Sequence, residues 1–187
     1  MPLRRRVARA VWSGLAVGAL VLAGCAGGDD VSPDTTLSFG PQACAPSEPS
    51  LVVDQIDDAV AAVEAELGGP QLYFEINATP LLVNLFVADA SAATVTPFAY
   101  VGGELSSEAA IEGATGNAFV APAIDLDPQL VLSCVTDQLP ASVLDVFFVE
   151  GGPEGAVKYA VLTSNEQGGQ LSVEVTGEGL ILAVDTI

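Results

Sequence analysis

Histidine is absent from all 187 residues. That absence removes the commonest general base and the commonest zinc ligand, and with them any Ser-His-Asp arrangement. Basic residues are nearly as scarce. Five Lys and Arg stand against 24 Asp and Glu, for a formal net charge of -19. Four of the five, Arg4, Arg5, Arg6 and Arg9, fall near the start, so the rest of the chain has no cationic surface with which to hold nucleic acid. The single tryptophan is Trp12, which leaves no indole platform for a sugar cleft further along. Glycine pairs occur, but none forms G-x-G-x-x-G or a P-loop. Apolar residues are not scarce. They make up 50% of the chain, too much for disorder despite the charge, and the length suits one domain, or two small ones, with a real core.

The start of the chain reads as an export signal. The four arginines make a positive n-region, and Ala10 to Leu22 is apolar. That run is shorter than the ~20 residues needed to span a bilayer. It ends in Leu22-Ala23-Gly24-Cys25, which resembles the bacterial lipobox. The resemblance covers the signal alone. It implies that residues 1–24 are a lipoprotein signal peptide, removed on export by the general secretory or the twin-arginine route, and that Cys25 is the lipidation site. Two or three acyl chains such as palmitate then anchor the protein stably, where one is marginal. The expected location is the cell membrane, lipid-anchored on its extracytoplasmic face. Cleavage would leave all 24 acids and one base, Lys158, a formal charge of 1 minus 24, or -23. Such a domain is repelled by anionic headgroups and attracts cations and basic surfaces.

Residues 25–50 are expected to be the lipidated cysteine and a flexible tether, because Gly, Asp, Ser, Thr and Pro dominate without apolar periodicity. With Cys25 committed to lipid, Cys44 and Cys134 remain as an even pair in an oxidising compartment. A Cys44–Cys134 disulfide is expected, the alternative being two buried free thiols.

Residues 51–187 are expected to form a globular α+β domain of two tandem α-β-β-β-β repeats. In each, one helix packs on one antiparallel sheet in a two-layer arrangement. Shifting the sequence by 75 residues lays 81–105 over 156–180 without a gap. It sets Ile56 on Val131, Val60 on Val135, Tyr73 on Phe148 and Phe98 on Val173. Repeat one runs over about 51–122 and repeat two over about 125–187. The first helix carries Ile56, Ala59, Val60, Val63 and Leu67 at helical spacing and stops at Gly68-Gly69-Pro70. The second starts at Asp127-Pro128, a cap followed by proline, carries Val131, Cys134, Val135 and Leu139, and ends at Pro140. Strands are expected at about 71–77, 81–88, 93–101 and 117–122, then 143–150, 156–163, 170–176 and 179–186. The segment 104–116 breaks the symmetry and is a candidate functional loop, the alternative being a neutral surface insertion. This order of elements is similar, in topology only, to β-lactamase inhibitory protein and to the PepSY-type modules of secreted bacterial proteins. No sequence motif of either family is present, so no binding residue is carried over.

No catalytic set emerges. A Ser-Lys dyad would have to use Lys158, which falls in a predicted strand and reads as a surface lysine. Carboxylates cluster at Asp54, Asp57 and Asp58, at Glu104, Glu108 and Glu112, and at Asp125 and Asp127. None forms an EF-hand loop, and solvated faces explain them. Tyr73, Phe74, Phe86, Phe98 and Tyr100 read as core. Asn77-Ala78-Thr79 has the form of a glycosylation sequon. The expectation is therefore a non-catalytic binding or modulating domain, with no cofactor, no metal site and no nucleic acid. Its partners would be the membrane through Cys25 and a cell-envelope protein. A carrier of an apolar small molecule and a calcium-dependent adhesion module are the alternatives.

Overall fold

The computed structural model describes Cys44 and residues 50–187. The leader, Cys25 and most of the proposed tether lie outside the described residues.

Helix α1 covers Ile56–Leu67 and buries Ile56, Ala59, Val60 and Val63 along one stripe. Asp57 and Asp58 lie in its first turn, where the helix dipole favours negative charge. Gly68 (φ 80°) ends it in the left-handed conformation, and Gly68 and Gly69 both donate to Glu64 O. Helix α2 covers Pro128–Gln138, and Asp127 caps it by accepting from the Gln129 and Leu130 N–H groups.

Ten strands follow in chain order: β1 Leu72–Ala78, β2 Val83–Asp89, β3 Thr94–Val101, β4 Glu104–Ser107, β5 Ile111–Glu112, β6 Phe119–Val120, β7 Val143–Gly151, β8 Val157–Ser164, β9 Gln170–Val175 and β10 Ile181–Thr186. They form a single sheet in the order β10-β9-β8-β7-β1-β2-β3-β4, with β5 on β3 and β6 on β1. All pairings are antiparallel.

This architecture corrects the expectation of two tandem helix-and-sheet repeats. The strands do not close into two sheets, because β1 and β7 pair directly over Glu75↔Glu150 to Ala78↔Phe147. Nor does each helix cover a core of its own. Buried residues of α1, of α2 and of strands from both halves belong to one cluster, so both helices lie on the same face. The gapless 75-residue shift also fails at the first strand. It sets Tyr73 on Phe148, yet Tyr73 is buried on the helix face while Phe148 sits across from Asn77 on the other. The register slip between Tyr73 and Glu75 is the cause: it sends Tyr73 to the opposite face, while beyond it Glu75 and Glu150 both face outward.

Local corrections follow. The segment 104–116 is not a plain loop: β4 and β5 within it pair with β3, with Tyr100 opposite Leu105 and Val95 opposite Ile111. The strand expected at 117–122 shrinks to β6 and a 3-10 turn at Ala121–Ala123.

The inner face is filled by large side chains. Tyr73 and Phe119 lie with ring centroids 6.0 Å apart, and Phe147 and Tyr159 are likewise 6.0 Å apart. The Tyr159 hydroxyl donates to Asp125 O and accepts from Asp125 N–H, which ties the approach to α2 onto the sheet. Cys44 is joined to Cys134 by a disulfide, with Cα atoms 5.0 Å apart. Cys134 is buried in α2, so position 44 is fixed against the helix layer.

Candidate functional site

Strand alternation sends one set of side chains under the helices and the other onto the open face. Ile76, Val149, Tyr159 and Val175 point inward, which puts Glu75, Glu150, Lys158 and Glu174 outward. Glu75 stands directly opposite Glu150 across the β1–β7 junction, and Glu150 stands opposite Lys158. Glu174 is opposite Ala160, two residues along from Lys158. Glu150 thus stands between the Glu75 carboxylate and Lys158, the only base beyond position 9, with Glu174 nearby.

Directly opposed like charges destabilise a sheet, so this pairing runs against what stability alone would choose. The Glu150 carboxyl shows the effect. It is held above its ordinary value first by desolvation among its neighbours, then by the Glu75 carboxylate and the Glu174 carboxylate, while Lys158 pulls the other way.

A hydrogen-bonded chain fixes the polar part of this face. Asn77 Nδ2 donates to Glu75 Oε1 at 2.6 Å, and Asn84 Nδ2 donates to Asn77 Oδ1 at 2.8 Å. The sequon asparagine is therefore 7% exposed and held between neighbouring strands rather than displayed on a loop. Around the polar residues lie half-buried apolar ones. Phe148 is opposite both Asn77 and Ala160, Phe86 is opposite Glu75 and Pro97, and Leu162 lies further along β8. The face combines net negative charge with partly covered aromatic surface. That is the composition of an adhesive patch for a basic and partly apolar surface.

The sequence candidates are dispersed. Asp54, Asp57 and Asp58 lie exposed at the start of α1, and Glu104, Glu108 and Glu112 are exposed on and between β4 and β5. Asp127 is the cap of α2. Among the described residues, no group of three or more Asp, Glu or Cys side chains converges as a metal site would need. Among the aromatics read as core, Tyr73 and Phe98 are buried, while Phe86 belongs to the open face. The Tyr73 hydroxyl is raised by burial and then by Glu64.

A cavity of about 490 Å³ is lined by Pro140 to Val143 and Asn165 to Gln167. Its Asn165 side chain already accepts from the Gln167 and Gly169 N–H groups and so serves the β8–β9 turn. Among the described residues, no helix is long and apolar enough to cross a membrane.

Sequence reasoning missed Glu75, Glu150, Glu174 and Asn84. Alternation with Leu171, Val173 and Val175 does put Glu174 on the wet side of its strand. Nothing local could bring Glu75 to Glu150, because their meeting depends on β1 and β7 pairing.

No family model matches the chain, and no curated protein matches it. Among solved structures, a Clostridium difficile 630 protein (CD1622), provisionally assigned as a lipoprotein, is similar with a TM-score of 0.47 at 8% identity, over 70% of this chain and 91% of that one. A likeness at that level carries no argument about function.

Proposed function

We propose that the chain is an exported lipoprotein, anchored at Cys25 on the outer side of the cell membrane, whose domain binds a basic protein surface of the cell envelope without catalysing a reaction. The lipobox and the charged leader support the anchor. The observation that carries the binding role is the Glu75–Glu150 opposition at the centre of the open face, with Glu174 beside it and Lys158 as the single counter-charge. A basic side chain from a partner would relieve that repulsion, so binding and neutralisation occur together. The missing histidine and the absence of a nucleophile–base pair support the non-catalytic part of the reading. The carrier alternative would need the layer between helices and sheet to open, and Tyr73, Phe98, Phe119 and Phe147 fill that layer.

The test uses the intact protein in its own cells. A photo-crosslinking residue at Ala160 is expected to capture an envelope protein, and a capture probe at Glu66 on α1 is not. Glu75→Gln with Glu150→Gln and Glu174→Gln should remove the adduct, and raised salt should weaken it. Equal capture at both positions, or capture indifferent to the three substitutions, rejects the binding face. Growth with labelled fatty acid should label the parent chain and not Cys25→Ala. An unlabelled parent chain found in the cytosol rejects the anchor.

A further inference from the structure

The two edges of the sheet are built differently. β4 is four residues long, and Glu104, Glu108 and Glu112 mark it and the segment that leads to β5. Short length and charge are the usual means by which a sheet edge refuses another strand. β10 is six residues long, and positions 179 to 184 hold no charge. Leu180, Leu182, Val184 and Ile187 are 44%, 57%, 47% and 77% exposed. Among the described residues β9 is the sole strand neighbour of β10. A bulge interrupts the register between Ile181 and Ala183, after which Ala183 to Thr186 run in regular pairing with β9. Unpaired backbone groups flanked by exposed aliphatic side chains form a template for a further strand.

We propose that β10 pairs antiparallel with β10 of a second copy of this chain, joining two sheets across a two-fold axis. Identical strands are self-complementary in this arrangement, so one patch serves both sides. Charge selects the occupant. A protein this acidic repels its twin over most of its surface, and the uncharged run between Glu178 and Asp185 lets two copies meet without opposed carboxylates. A basic partner is drawn instead to the face around Glu150.

Charge also selects the register. An axis through Ala183 sets Leu182 of each chain against Val184 of the other and leaves the two Asp185 side chains four residues apart. At ~3.4 Å per residue that is roughly 14 Å, beyond the Debye length of about 8–10 Å. An axis through Val184 would bring them to roughly 7 Å. The two-fold stands perpendicular to the sheet, so both helix layers and both Cys44–Cys134 bridges lie on the same side. If the anchor proposed above holds, both tethers then leave from one side, as two copies in one membrane require. The pairing does not itself depend on the anchor.

The experiment uses the full chain carrying Cys25→Ala, so that lipidation plays no part. Sedimentation equilibrium is expected to give two copies per particle. Ala183→Cys, on the axis, should form a chain-to-chain disulfide, and Ser106→Cys on β4 should not. Val184→Lys should raise the dissociation constant at least about tenfold, with the melting temperature of the single chain unchanged. Single-copy particles overturn the proposal, as does Ala183→Cys crosslinking no more than Ser106→Cys, or a two-copy particle indifferent to Val184→Lys. If the dimer holds but fatty-acid labelling fails, the anchor falls and this interface stands.

Discussion

Glu150 occupies the position where four strands bring four charges together, and its protonation reports the state of the open face. Its carboxyl titrates above its ordinary value of 4.5, so the folded chain holds this proton more tightly than the unfolded one. The stabilisation from that proton is present below the ordinary value and is lost as pH rises through the raised one. Glu150 is exposed and water screens its repulsion, so Glu150→Gln is expected to stabilise the protein at neutral pH by only a few tenths of a kcal/mol, about 0.5 at most, and the gain should vanish well below the ordinary value. Thermal melts of both proteins across pH check this, and equal curves at neutral pH reject it. Little of this was legible in the chain. Lys158 could be placed on a strand because apolar and polar residues alternate around Tyr159. That Glu150, eight positions earlier, faces it depends on the β7–β8 register, and that Glu75 faces Glu150 depends on a pairing between strands 75 residues apart.

At the scale of elements, the turn from β9 to β10 is locked to α2. Asp127 N–H donates to Gly177 O, Gln138 Nε2 donates to both Cys134 O and Gly179 O, and Leu180 N–H donates to Thr176 Oγ1. Gly179 has φ 84°, and a Cβ there would lie 2.7 Å from Cys134 Cβ and 2.9 Å from the Val131 backbone. Both the backbone conformation and the close approach to the helix require glycine. Gly179→Ala should cost at least about 2 kcal/mol, from left-handed strain together with overpacking. Urea denaturation measures it, and a change within experimental scatter refutes the packing argument. Helices and their stops were legible here because caps and periodicity are local. The ends of α1 and α2 follow from Gly68 and from Asp127-Pro128, within the span of a few residues. β4 was not legible, since Glu104 to Ser107 has the composition of a loop and is a strand only because β3 lies beside it.

The whole molecule is closed by the bridge between Cys44 and Cys134, 90 positions apart. In the chain-entropy model a loop of that length contributes about 4–5 kcal/mol by restricting the unfolded chain. Cys44→Ser should lower stability by about that amount while leaving the sheet's circular dichroism intact, and a reductant should do the same to the parent chain. An unchanged denaturation midpoint on reduction contradicts it. By itself the sequence determined the properties that depend on neighbours along the chain: the positive, apolar start with its lipobox-like residues, the two helices, most strands, the turn glycines and the alternation along β9. It also restricted the chemistry, because a chain without histidine cannot assemble a histidine-dependent site however it folds. The tertiary structure alone decided that β1 and β7 meet, that eight principal strands form one sheet with a common core, and that Glu75, Glu150, Glu174 and Lys158 share a face. The physical reason is that strand pairing is non-local. A strand carries its own alternation but no record of its neighbour, which is chosen by the shared burial of both halves under α1 and α2.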